Sequence, residues 1–196
     1  DLKKFYPSES RQTEKQIFIF VGRLSRTHYF KGVESLLRAF GQLRAQKSNC
    51  AAELWIVGDG EQRSHYEHVS EKMKISKYVT FFGAVSDEEL PNLYRQATTI
   101  VLPSTDTSET FGLVLLEAMA SGASVIASRL PGVDALVPDG VVGVLVEPGN
   151  EGELFSALES VVVQRERWNE YGIAAIERAQ QFGDWTSIAQ QIASLL

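Results

Sequence analysis

Six short apolar runs, spaced along the chain and separated by helical patterns, constrain its fold more than any other feature. The first, Ile17-Phe18-Ile19-Phe20-Val21, is uninterrupted and stops at Gly22. A continuous run of that length predicts a strand buried on both faces. The next is Leu54-Trp55-Ile56-Val57, stopped by Gly58-Asp59-Gly60, followed by Val79-Thr80-Phe81-Phe82 before Gly83 and Thr98 to Leu102 before Pro103. Ser124-Val125-Ile126-Ala127 and Gly143-Val144-Leu145-Val146 complete the set. Between these runs the period changes. Val33, Leu36, Leu37, Phe40 and Leu43 recur at helical spacing from about Gly32, and a polar helix runs through Met73. Ser86 predicts an N-cap, with Asp87, Glu88 and Glu89 suited to the first turn, and a short helix is expected near Pro131 to Leu136. Strands alternating with helices over short connections predict an α/β fold, a doubly wound parallel sheet with helices on both faces.

Residues 1 to 15 are polar, carry no period and read as a linker or hinge. Residues 16–164 are expected to form the sheet domain, and 165–196 C-terminal helices packing on it. Trp168, Tyr171, Phe182 and Trp185 in that tail read as packing anchors. The chain's 196 residues suffice for one large domain with a full core. No apolar run approaches the roughly 18 residues that would span a membrane, and Asp1-Leu2-Lys3-Lys4 does not read as a signal peptide. A start at Asp suggests a processed chain or a fragment. The formal charge of −6 argues against general nucleic-acid binding, which needs a basic face. The single cysteine, Cys50, excludes an internal disulfide and fits a reducing compartment. His28, His65 and His68 do not predict a metal site, since His65 and His68 sit three apart in a polar helix with no third ligand nearby.

Ligands of doubly wound folds bind outside the carboxyl ends of the strands, and the most informative segment, Ser108 to Gly122, follows the fourth run. Every residue from Phe111 to Ala120 except Gly112 and Glu117 is apolar, so a helix here is expected to be apolar all round and buried. A carboxylate inside it requires a hydrogen-bonding partner. Two candidates are open: a ligand, or a neighbouring Arg or Lys. With Ser108 or Thr110 as N-cap, the helix start would offer backbone N–H groups and positive dipole to an anion, and Gly112 would let it approach closely. Glu117 then lies about 10 Å along the helix from the cap, and Glu109 just before it. Two carboxylates so placed could hold hydroxyls on either side of a diphosphate.

After the first run, Gly22-Arg23-Leu24 leads to Lys31-Gly32 at the entrance of a helix, placing two positive charges where a phosphate would sit. No G-x-G-x-x-G and no P-loop occurs at this turn, which argues against a dinucleotide-dependent oxidoreductase. Gly58-Asp59-Gly60 and Phe82-Gly83-Ala84-Val85 read equally as strand-exit turns or as backbone lining of a ligand site.

Taken together and in this order, these segments resemble the C-terminal, Rossmann-like donor-binding domain of retaining glycosyltransferases of the GT-B fold, family four. The resemblance runs from about Phe18 to the last helix. It implies that Arg23 and Lys31 contact a donor diphosphate and that Glu109 holds sugar hydroxyls, the three being the catalytic set. It further implies that Glu117 holds the ribose hydroxyls and that the backbone at Phe111, Gly112 and Leu113 contacts sugar and diphosphate. Gly22 and Gly58 would line the same site, and the segment around Val85 would border the base. The implied reaction moves a sugar from a nucleoside diphosphate sugar to an acceptor with retention, without a metal or other cofactor. The acceptor, a glycan, lipid or small molecule, would be bound by an N-terminal domain absent from this sequence, leaving the isolated domain inactive. A cytoplasmic location is implied, with any membrane contact made through that missing domain. The Leu24–Lys31 loop is longer than the usual family form, which lets Arg26 or His28 share the role of Lys31. Two alternatives keep the fold: a nucleotide-sugar 2-epimerase, and a nucleotide-binding module without catalysis.

Overall fold

Each of the six apolar runs is a strand, and every strand pairing in the sheet is parallel. The computed structural model describes residues 4–8, 15–106 and 112–182. The strands are β1 (Gln16–Val21), β2 (Ala52–Val57), β3 (Val79–Gly83), β4 (Thr99–Leu102), β5 (Ser124–Ser128) and β6 (Gly143–Val146). Their order across the sheet is β3-β2-β1-β4-β5-β6. The chain thus builds outward from β1 in one direction, returns, and builds outward from β4 in the other. The switch between β1 and β4 opens a crevice above their carboxyl ends.

Alternation along each strand sorts the core into two layers. Phe18 and Phe20 of β1 join Ile56, Val101 and Ile126 on one face, against Leu36, Leu37 and Phe40 of α1 (Val33–Gln46). Leu154, Leu158 and Val161 of α6 (Glu151–Val163) complete that layer. Ile17, Ile19 and Val21 join Val57, Ile100 and Val125 on the other face, where Leu115 and Met119 of α4 (Leu113–Ala120) and Ala175 and Ala179 of α7 (Arg165–Phe182) cover them. Burial on both faces is why the inner runs are apolar rather than alternating, whereas the edge strand β3 leaves Thr80 exposed. The remaining helices are α2 (Arg63–Lys72), α3 (Leu90–Gln96) and α5 (Pro131–Leu136). Trp168 and Tyr171 are buried, 5.3 Å apart in an edge-on pair, as packing anchors should be. Phe182 is half-buried against the α4 layer, and Trp185 lies outside the described residues.

Three local expectations are corrected. Helix α4 is capped by Gly112, at φ 62° and ψ 46°, and starts at Leu113; no side chain caps it. Ser108 and Thr110 lie outside the described residues. Nor is α4 buried all round: Leu113 is 43% exposed, and Val114, Leu116 and Glu117 are half-buried, because one side of this helix faces away from the sheet. Helix α3 begins at Leu90 rather than beside Ser86. Ser86 and Glu89 still exchange cap-like bonds one turn earlier: the Glu89 amide donates to Ser86 Oγ at 3.2 Å and the Ser86 amide to Glu89 Oε2 at 3.1 Å.

The segment Lys4–Ser8 lies against the sheet domain. Phe5 meets the ring of Tyr94 edge-on at 5.9 Å, and Arg95 stacks over Tyr6 at 4.5 Å. No helix among the described residues is long and apolar enough to cross a membrane.

Candidate functional site

At the carboxyl ends of β1, β2 and β3 the chain is stitched together by main-chain bonds. The Gly22 amide donates to the Val57 carbonyl at 3.0 Å, Leu24 to Asp59 at 2.9 Å, Gly58 to Gly83 at 2.8 Å, and Gln62 back to Leu24 at 2.8 Å. Side chains would obstruct this approach. Gly58, at φ 129°, has its α-carbon against the Gly22 carbonyl, where a Cβ would collide with backbone. The floor formed by Gly22 and Gly58 is therefore backbone packed on backbone, with no side chain between the two.

Above that floor sits Lys31, the last residue of a 3₁₀ segment spanning Arg26–Lys31. Its Cδ lies 3.0 Å from where a Gly22 Cβ would stand, so the lysine stem crosses Gly22 directly, and its ammonium is 5.6 Å from the Phe30 ring centre. The loop is held on two sides. Arg26 donates its amide to Glu61 Oε1 at 2.7 Å, and the Phe30 carbonyl accepts from the Thr105 amide at 2.6 Å. Gly32, at φ 70°, packs so closely on the Pro103 carbonyl that only glycine fits. The basic loop and the loop leaving β4 are thereby joined across the crevice. His28 is engaged locally: Ser25 Oγ and Thr27 Oγ1 lie 2.5 and 3.1 Å from its Nδ1. Arg23 is exposed and makes no side-chain hydrogen bond among the described residues, leaving its guanidinium available to an anion.

The structure brings Gly22 into contact with both Gly58 and Lys31. Glu109 and Phe111 lie outside the described residues. Gly112 is buried at the start of α4, with its left-handed conformation turning the chain into the helix, and Leu113 is the exposed first residue. Free N–H groups of a first turn point away from the helix end, toward the crevice side of the sheet. Val85, half-buried after β3, packs on the layer that contains Val57 and Ile100.

Glu117 is one turn along α4, and its partner within the protein is one the sequence did not suggest. Among the described residues it is neither Arg nor Lys: the Tyr94 hydroxyl of α3 donates to Glu117 Oε2 at 3.2 Å. Burial raises the Glu117 pKa from its ordinary value; the Tyr94 bond pulls it down and the charge of Asp87 pushes it further up. The Tyr94 hydroxyl, buried beside a carboxylate, is held well above the usual phenol value and remains a donor. No sequence signal pairs these residues, which are 23 apart on different helices. His65 and His68 each meet a carboxylate of their own, Glu34 at 3.2 Å and Glu71 at 3.7 Å, and no group of three metal-ligating side chains occurs among the described residues.

Comparison with known proteins agrees with this architecture. A family model described as "Glycosyl transferases group 1" matches residues 3–178. The D-inositol 3-phosphate glycosyltransferase of Corynebacterium diphtheriae is 30% identical over 210 residues, an alignment that takes in 100% of this chain and 48% of that protein. Among solved structures, sucrose-phosphate synthase from Thermosynechococcus elongatus matches with a TM-score of 0.84 and 31% identity, over 100% of this chain and 49% of the other. Anabaena HepE, solved in complex with UDP-glucose, matches with a TM-score of 0.84 and 27% identity, over 100% of this chain and 54% of the other. The chain spans about half the length of the curated relatives it matches. A sheet whose order reverses at β1/β4, a glycine floor crossed by a lysine, and a family match over nearly the whole sequence lead to one assignment: this chain belongs to the group 1 glycosyl transferases.

Proposed function

We propose that this chain is the donor-binding half of a retaining glycosyltransferase, and that the crevice between β1 and β4 receives a nucleoside diphosphate sugar. The observation that carries the reading is the lysine stem of Lys31 lying against Gly22, whose carbonyl packs on Gly58 with no side chain between them. A diphosphate fits such a place because backbone can approach it closely beside a cationic side chain. Arg23 and Lys31 neutralise the diphosphate, and the amides at Phe111, Gly112 and Leu113 complete its cradle. Glu109 holds the sugar hydroxyls, Glu117 the ribose hydroxyls, and the backbone beside Val85 borders the base. The UDP-glucose bound by HepE, which matches this chain over its full length, supports a nucleotide sugar as ligand.

In the reaction the bond between the anomeric carbon and the diphosphate oxygen breaks as an acceptor hydroxyl bonds to the same face of that carbon. The acceptor proton passes to the departing diphosphate. The diphosphate leaves with growing negative charge, and the positive charges of Arg23 and Lys31 stabilise it. No residue acts as a covalent nucleophile, and neither metal nor cofactor is required. In this reading 16–164 is the nucleotide-sugar domain, 165–196 its C-terminal part, of which 183–196 lies outside the described residues, and 1–15 the hinge to an acceptor-binding half that takes a glycan, lipid or small molecule.

Titration calorimetry of UDP, GDP and ADP, each free and as a sugar conjugate, tests the reading. One nucleotide is expected to bind selectively. Glu109→Ala should weaken only the conjugate, whereas Glu117→Ala should weaken both forms. Absence of binding by all six ligands would remove the donor-domain reading from this chain.

A further inference from the structure

Tyr94 has no part in the site as the sequence describes it, yet among the described residues it makes the one hydrogen bond that the Glu117 carboxylate receives. It is wholly buried, on α3, with its ring held edge-on by Phe5. Its hydroxyl reaches Oε2 at 3.2 Å. An ionised carboxylate has two oxygens and about four acceptor positions. Tyr94 occupies one of them, fixing the plane of the group and leaving Oε1 to accept from outside. Without that donor a half-buried carboxylate on an apolar helix would be free to rotate and less inclined to carry charge.

We propose that Tyr94 is a positioning residue for Glu117, holding its carboxylate in the orientation that accepts ribose hydroxyls and so setting how strongly the site discriminates ribose from deoxygenated sugars. The inference rests on the assignment of Glu117 to ribose under "Proposed function". Tyr94 touches no ligand itself. Its effect is confined to the part of binding that passes through Glu117: it leaves the grip on base and diphosphate alone.

The test compares UDP, GDP and ADP with their 2′,3′-dideoxy counterparts by calorimetry in the unaltered chain, Tyr94→Phe and Glu117→Gln. In the unaltered chain the nucleotide that binds is expected to do so about tenfold or more tightly than its dideoxy form, as hydrogen bonds to a charged group would give. Tyr94→Phe removes one oxygen at nearly constant shape. It should lower that ratio by about three- to tenfold, part of one charged hydrogen bond, while the dideoxy affinity stays the same. Glu117→Gln should lower the ratio at least as far. An equal loss for both ligands in Tyr94→Phe would make Tyr94 a packing residue and overturn the inference. A ratio lost in Glu117→Gln but kept in Tyr94→Phe would overturn it alone, with Glu117 still the ribose residue. A ratio kept in Glu117→Gln, or no binding by any nucleotide, would overturn the assignment of Glu117 and this inference together.

Discussion

At the scale of a residue, the charge on Glu117 is set by opposing influences, and their balance makes a prediction about pH. Burial favours the neutral acid, and Tyr94 favours the carboxylate. Ribose hydroxyls donate to the carboxylate and would favour it too, so binding lowers the pKa that burial has raised. A ligand that prefers the charged form gains affinity as pH rises through the pKa of the free protein. The ratio of ribose to dideoxyribose affinity should therefore climb with pH, beginning in the ordinary carboxylate range and levelling off above it. Protonation of the diphosphate cancels in that ratio. Calorimetry across pH should give a rising curve for the unaltered chain and a flat one for Glu117→Gln; a flat curve for both would detach Glu117 from ribose. For the fold itself the sign is opposite. A carboxylate whose folded pKa is raised contributes most stability below the unfolded value, and that contribution fades as pH rises through the folded value.

At the scale of an element, the turns after the strands decide what the site is made of. Gly58 and Gly140 both have positive φ, 129° and 73°, but only Gly58 has backbone where a Cβ would stand; around Gly140 there is open space. Gly140→Ala should cost about 1 kcal/mol, the conformational penalty alone. Gly58→Ala should cost on the order of 2 kcal/mol or more, because the Gly22 carbonyl must also move. Denaturant unfolding of the two variants would measure the difference, and equal midpoints would show that the floor yields freely. These same turns explain how much can be read in advance. The strands are legible because a two-sided core demands unbroken apolar runs, and their ends because glycine and proline stop them. The start of α4 is not legible: a helix opened by Gly112 in the left-handed region carries none of the side-chain signal that Ser108 or Thr110 would suggest. Glu117 stands out as a charge on an apolar helix, while Tyr94 looks like any other aromatic on a short amphipathic one. Only the packing of α3 on α4 pairs them.

At the scale of the whole molecule, the sheet is two three-stranded halves joined along β1 and β4. Within the second half, Thr99 and Ser124 pair across 25 positions of chain. The seam must bring Thr98 Oγ1 to the Ile17 amide across 81 positions, with the Thr98 amide in turn donating to the Ile17 carbonyl at 2.7 Å. Longer closure costs more entropy, which delays a contact in folding. In refolding followed by pulsed hydrogen exchange, amides inside β2 and β5 should gain protection before those of Ile17 and Thr98; simultaneous protection would show that the sheet condenses as one. The crevice lies on this line. Only the joined halves present the basic loop beside the loop that leaves β4, so a nucleotide seated there binds the closed sheet and not its separated parts. Such a ligand acts as a clasp on the seam between the halves, and its concentration relative to its dissociation constant sets how seldom the molecule parts down the middle.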